Sequence, residues 1–275
     1  MVNIIHRLID GVHGLLAPPG AICLACGRKT KISKEHSGIC TLCAARIPWI
    51  SNPRCRYCGR AFGCPDCIRK GEMERSFVCN RSAVMYNESM REILAQYKYR
   101  GNEKYGPLLV SMLNHAYRLL LHEISLSNST ITKRGSFDGV TYVPVSSIRL
   151  AERGFNQAEQ LATGLATGHR IPLISLLERR EHTEKQSFKT RQQRILSMQQ
   201  AFITNTGVLE DLTTRWLHTH QHDLEHRSNA VMHLLLIDDI YTTGSTINAC
   251  ATVLRNSFLQ LGVPVEIYSL TWARS

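Results

Sequence analysis

The sequence has no apolar run approaching the roughly 20 residues that a membrane-crossing helix needs. Its first stretch, Met1 to Leu16, sets Ile4, Ile5, Leu8, Ile9 and Val12 at helical spacing, yet His6, Arg7 and Asp10 interrupt any signal-peptide core. These absences argue against a membrane-crossing helix and predict a cytoplasmic protein with no membrane partner. Acidic residues are in deficit. Against 22 Asp and Glu stand 33 Lys and Arg, a net charge of +11, so nucleic acid or phosphorylated metabolites are the partners that charge favours. No internal repeat appears apart from paired cysteines. With 275 residues and 43% apolar content, the chain suits one large or two modest domains with ample core.

Cysteine is nearly absent outside one segment. Eight of the ten lie between Cys23 and Cys67, as four C-x-x-C pairs: Cys23/Cys26, Cys40/Cys43, Cys55/Cys58 and Cys64/Cys67. In an intracellular chain that pattern means metal rather than disulfides. Residues 17 to about 70 lack apolar periodicity and are rich in turn residues, so they cannot bury enough surface to fold alone. Two structural Zn²⁺ ions, each held tetrahedrally by four thiolates, would supply the missing stability and leave no open position for catalysis. Sequential pairing closes the shortest loops, with Gly27 and Gly59 suited to tight knuckles; crossed pairing of alternate motifs is the other arrangement.

Residues 71 to 80 read as a linker with Cys79 a packed thiol, and from Ser82 the pattern becomes α/β. A short strand, Ala83 to Tyr86, leads to a helix capped by Asn87 and running through Tyr97, then to a helix opened by Pro107. Ser125 to Ser136 is a polar loop. A strand over Gly139 to Val145 precedes a basic loop carrying Arg149 and Arg153, then a helix through Ala158 and Leu165. A second basic run (Arg179, Arg180, Thr183, Gln186, Lys189, Arg191, Arg194) reads as a solvated face or as a flap over a phosphate site. Residues 203 to 231, with His218, His220 and His222 at alternate positions, read as a solvated loop.

The chain is organised around Leu234 to Thr246. Leu234 to Ile237 form a buried parallel strand, Asp238 and Asp239 stand at its carboxyl end, and Thr242-Thr243-Gly244-Ser245-Thr246 turns into a helix reaching Leu261, before a last strand from Val265 to Trp272. Such a turn offers backbone N–H groups to a phosphate, and adjacent aspartates above it suit the two vicinal hydroxyls of a ribose. No Lys follows the glycine, so this is not a Walker loop, and the three spaced glycines of a dinucleotide fingerprint are missing. Two adjacent unpaired acids after a buried strand are costly to keep without use.

All 13 positions resemble the 5-phosphoribosyl 1-pyrophosphate (PRPP) signature of type I phosphoribosyltransferases. That resemblance implies that Asp238 and Asp239 orient the ribose, that Thr242, Thr243, Gly244, Ser245 and Thr246 hold the 5′-phosphate, and that Mg²⁺ binds together with PRPP. Arg149 and Arg153, beside Gly154-Phe155-Asn156-Gln157, are the candidates for the pyrophosphate, with Lys98 or Arg100. Together with the cysteine pairs and Lys98-Tyr99-Arg100-Gly101, these motifs resemble the ComF family from Cys23 to Trp272. The family implies an α/β fold, a type I phosphoribosyltransferase-like parallel sheet flanked by helices, with a small zinc-ribbon-like module at the amino end. The expected division is residues 1–75 for the helix and double metal module and 76–275 for the phosphoribosyltransferase-like domain. It further implies a link to natural transformation, with the handling of internalised single-stranded DNA or the use of DNA as a nutrient; in an adaptor reading the metal module recruits a helicase or other DNA-uptake protein. Turnover is left open by the residues, since none stands out as a base for an acceptor; a non-catalytic DNA-binding or adaptor protein is the alternative. Three features depart from the family pattern: Ser197 in place of the usual Asn, a loop between Val145 and Arg153 about two residues shorter than usual, and the histidine-bearing stretch near 210–228, which looks inserted.

Overall fold

The computed structural model describes residues 20–36, 38–64, 67, 75–99, 103–126, 137–180, 200–225 and 230–275. The expected amino-terminal helix, Arg100 and Gly101, and the flap residues Thr183 to Arg194 lie outside them. A small pair of strands, β1 (Ala21–Ile22) and β2 (Lys29–Thr30), and a five-residue helix, α1 (Thr41–Ala45), belong to the cysteine segment. The body follows as β3 (Asn80–Met85), α2 (Glu88–Tyr99), α3 (Gly106–Leu126), β4 (Gly139–Tyr142), α4 (Ser147–Arg153), α5 (Gln157–His169), β5 (Leu177–Arg179), β6 (Phe202–Thr204), α6 (Thr206–Glu225), β7 (Met232–Tyr241), α7 (Ser245–Gln260) and β8 (Val265–Arg274).

Four strands form one parallel sheet in the order β3-β8-β7-β4. β7 is an inner strand with apolar residues at consecutive positions, which is what burial on both faces requires. Leu235 and Ile237 point into a core shared with α2, α3 and α5, while Leu234 and Leu236 point into a second core with α6 and α7. Each of these four is fully buried, a contribution of about 2 kcal/mol apiece. The expected α/β architecture is therefore present, with a cysteine-rich module at its amino end. Among the described residues no helix is long and apolar enough to cross a membrane.

Three local expectations are corrected. The basic stretch after β4 is helical: Ser146 Oγ accepts from the Arg149 N–H at 3.4 Å to start α4, and Gly154, at φ +77°, ends it in the left-handed region. The supposed loop at 203–231 is mostly α6. Asn205 Oδ1 accepts from the Val208 N–H at 3.2 Å, and Leu209, Leu212 and Trp216 recur at helical spacing and are buried. On its outer side His218 is exposed, and His220 stacks on Trp216 at 4.5 Å. The linker reading also fails for its described part, because Phe77 and Cys79 are buried and the Val78 N–H donates to Ile267 O at 2.8 Å. There the chain already follows β8.

The cysteine segment is stitched to the body by buried polar groups. The Asn80 N–H donates to Tyr57 O at 2.7 Å, and Arg81 Nη1 donates to Arg56 O at 3.1 Å. The Arg81 guanidinium is buried and pairs with Glu123 of α3 through Nε at 2.9 and 2.8 Å and through Nη2. Removing one partner of such a pair leaves a charge uncompensated. Glu123→Ala is expected to lower unfolding free energy by about 2–3 kcal/mol in urea titrations. Arg81→Met combined with Glu123→Met should restore much of the loss; equal losses in the single and double variants would contradict the pairing.

Candidate functional site

β7 delivers both carboxylates to the carboxyl edge of the sheet, but it does not stop before them. Its ladder with β8 continues through Asp238↔Thr271 to Tyr241↔Arg274, because β8 itself runs on to Arg274. The acids thus sit on a hydrogen-bonded strand rather than in a loop, and the Asp239 N–H donates to Asp238 Oδ1 at 2.8 Å. Burial, and then the adjacent Asp239 charge, push the Asp238 carboxyl up to about 8. Asp239 is relieved differently: Lys98 Nζ, at the end of α2, forms an ion pair with its Oδ2. Lys98 therefore engages the acidic pair.

The turn after β7 is fixed by Gly244, at φ +79° and ψ 5°, which stands as the N-cap of α7. A Cβ there would lie 2.1 Å from Tyr241 Oη, so both the left-handed backbone and the space beneath it demand glycine. Thr242 and Thr243 are exposed, Ser245 and Thr246 half-buried. Thr243 Oγ1 and Ser245 Oγ are 2.8 Å apart, and Gly244 provides no side-chain cap for the 16-residue helix. The first-turn N–H groups and the helix dipole therefore present positive potential beside the carboxylates.

From the neighbouring strand, β4, the chain passes through Val143 to α4. Asn156 is buried and locks this junction, with Nδ2 donating to Val143 O at 3.1 Å and Oδ1 accepting from the Ala158 N–H at 3.0 Å. Arg149 projects from α4 and is exposed, while Arg153 Nη1 donates to Gln157 Oε1 at 2.8 Å. Burial, and then the like charge of Arg149, lower the Arg179 guanidinium, while Asp238 acts in the opposite sense. Arg149, Arg179 and Asp238 thus share one electrostatic neighbourhood. Arg179 was legible only as part of a basic run; the antiparallel pairing of β5 with β6 is what holds it here.

The eight cysteines form two groups, Cys23, Cys26, Cys40 and Cys43, then Cys55, Cys58, Cys64 and Cys67, with the ligand atoms of each lying within 4.8 Å of one another. Sequential pairing is the arrangement present. Four sulfurs that close, with no acid or histidine among them, fit a tetrahedral Zn²⁺ with bonds of about 2.3 Å. Each group opens with the same knuckle: the Gly27 N–H donates to Cys23 O at 2.8 Å with φ +70°, and the Gly59 N–H to Cys55 O at 3.0 Å with φ +69°. Burial works to raise Cys23 and Cys64, but N–H groups and neighbouring thiols donating to sulfur bring them down to about 6 and about 7. Either group can hold zinc.

No family model matches the chain. It is 30% identical to Competence protein ComFC of Bacillus subtilis (strain 168) over 284 residues, which covers 96% of this chain and 97% of that protein. The chain belongs to the ComF family. Other ComF relatives are Competence protein ComFC of Streptococcus pneumoniae (strain ATCC BAA-255 / R6), 27% identical over 86% of this chain and 94% of that protein, and Competence protein F of Haemophilus influenzae (strain ATCC 51907 / DSM 11121 / KW20 / Rd), 26% identical over 91% and 96%.

Two residues of this ComF chain escaped sequence reasoning. Tyr241 packs under Gly244, and Arg274, buried at the end of β8, donates from Nη1 to Thr242 O at 2.9 Å and to Tyr241 O at 3.2 Å. For Arg274 the available signal was a lone cation ending the strand next to β7.

Metal analysis of protein made with zinc present should return about two ions per chain, and Cys58→Ser about one; a value near zero for the wild type would contradict the two sites. A second expectation concerns pH. Asp238 keeps its proton in the folded chain up to about 8 but ionises near 3.8 when unfolded, so rising pH removes stability across that interval. Without Mg²⁺, Asp238→Asn should melt higher than wild type at pH 8, by at least about 2 °C, with the gain shrinking toward pH 4. A pH-independent difference, or a loss, would contradict the assignment.

Proposed function

We propose that this chain binds PRPP with Mg²⁺ at the carboxyl end of β7 and serves natural transformation by handling internalised single-stranded DNA. One observation carries the reading: two adjacent carboxyl groups and a helix N-terminus without a side-chain cap meet on a single strand-to-helix turn. A ribose phosphate needs both, acceptors for two vicinal hydroxyls and N–H donors for a phosphate. Asp238 and Asp239 take the hydroxyls, and Thr242, Thr243, Gly244, Ser245 and Thr246 hold the 5′-phosphate through backbone N–H and hydroxyl groups. Arg149 and Arg153 hold the pyrophosphate from the β4 side, joined by Arg179. Lys98, released from Asp239 as the ribose arrives, adds a further cation. Mg²⁺ supplies charge neutralisation on the pyrophosphate oxygens when bound. The side chains contribute positioning and electrostatics rather than covalent chemistry, as suits cleavage of a glycosidic C1–O bond.

The place in transformation rests on the relatives, each named a competence protein. Residues 1–75 serve as the metal module and 76–275 as the phosphoribosyltransferase-like domain. A second, non-catalytic reading as a DNA-binding or adaptor protein is favoured by the module's surface. There the guanidinium carbons of Arg56 and Arg75 lie 4.6 and 4.2 Å from the Tyr57 ring centre, and Arg60 lies over exposed Phe62. Aromatic rings among cations suit stacked single-strand bases and offer a face to an uptake protein or helicase.

Calorimetric titration of Mg²⁺–PRPP tests the pocket. Wild type should bind, while Asp238→Asn/Asp239→Asn and Gly244→Ala should each bind at least about tenfold more weakly, a loss of about 1.4 kcal/mol. Absence of binding to the wild type would overturn the PRPP reading and leave the DNA surface as the functional one.

A further inference from the structure

Arg274 touches two sites that are otherwise separate in the sequence. Its side chain is 4% exposed. Nη1 donates to the main-chain oxygens of Tyr241, Thr242 and Ser275, and Nη2 donates to Cys58 Sγ at 3.7 Å. Its guanidinium also lies 4.8 Å from the centre of the Tyr241 ring. No aspartate or glutamate side chain of the described residues forms an ion pair with it. A buried guanidinium needs compensating negative charge, and a Zn²⁺ held by four thiolates carries a net charge of −2. Tyr241 forms a second link. Its ring packs under Gly244 and into the same buried cluster as Cys58 and Cys64. One side of this cluster is the second cysteine site, and the other is the backbone that starts the Thr242–Thr246 turn.

We propose that Arg274 is a positioning residue that couples the Cys55/Cys58/Cys64/Cys67 site to the turn after β7, so that zinc in that site fixes the turn's geometry. The loaded site holds Nη2 at Cys58 Sγ, which orients the planar guanidinium so that Nη1 meets the Tyr241 and Thr242 carbonyls. Loss of the metal by chelation removes the counter-charge and frees those carbonyls, and the turn loosens. Anion binding at the turn then depends on a metal that never touches the anion. This consequence rests on the reading of Thr242–Thr246 as a phosphate loop; the coupling itself does not.

Hydrogen exchange on the full chain separates the two. Cys67→Ser, shown by metal analysis to have lost one zinc, should speed exchange of the Thr243–Ile247 amides by about tenfold, with α3 amides unchanged. Arg274→Met should retain two zincs yet show the same faster turn. In the Arg274→Met background Cys67→Ser should add nothing further, which a purely structural role would not produce. Arg274→Lys, which keeps the charge but not the planar fork, should fall between wild type and Arg274→Met. Unchanged turn exchange on zinc loss, or additive effects of the two substitutions, would overturn the coupling. Should Arg274→Met unfold, faster α3 exchange will reveal it, and Cys67→Ser with Arg274→Lys then decides by the same criterion. Failure of wild type to bind Mg²⁺–PRPP would instead sink the phosphate reading and leave the exchange result standing.

Discussion

Two carboxylates on consecutive residues of an inner, hydrogen-bonded strand are the constraint on which the rest of this structure depends. Their mutual repulsion and their partial burial both act against folding. The fold accommodates them with Lys98 on Asp239 and with a raised carboxyl on Asp238. Holding them so close requires β7 to be straight and inner, and that in turn requires apolar residues on both of its faces and helices over each. The sheet order β3-β8-β7-β4, the two cores and the placement of α2 across the acidic pair all follow from supplying that strand with neighbours. A strand used only as core would gain stability by losing these charges.

The cysteine module is no appendage to this frame. Its first group packs into the core that contains α3: Cys23 and Cys40 are buried there, and Tyr105 Oη donates to Leu24 O at 2.8 Å. Its second group packs into the opposite core through Cys58 and Cys64, against Tyr241. Each cysteine group therefore packs on a different face of the sheet, and the second reaches, through Arg274, the turn that follows β7.

Much of this was legible in the sequence because the signals were local. A run of four apolar residues, two acids and a hydroxyl-rich glycine turn defined β7 and α7 without help from the rest of the chain. Four C-x-x-C pairs defined the metal groups, and their pairing resolved to the simplest loops. What was missed depended on partners far away in sequence. The extension of β7 through Asp238 and Asp239 is set by the length of β8, whose paired residues lie 33 positions on. Lys98 and Arg274 acquire their roles from contacts across the sheet's carboxyl edge. The helix at Thr206–Glu225 was misread because His218, His220 and His222 drew attention to alternate positions, while Leu209, Leu212 and Trp216 carried the helical period. The α4 stretch likewise looked like a basic loop because its Arg residues outweighed the signals of Ser146 and Gly154 at its ends.

The central claim is that the turn after β7 is a ribose-phosphate site, and a crystal structure with Mg²⁺–PRPP tests it most directly. The account predicts the 5′-phosphate against the backbone N–H groups of Thr243 to Thr246, the ribose hydroxyls at Asp238 and Asp239, and Lys98 withdrawn from Asp239. Ligand density elsewhere on the chain, or an intact Lys98–Asp239 pair with an empty turn at saturating ligand, would contradict it.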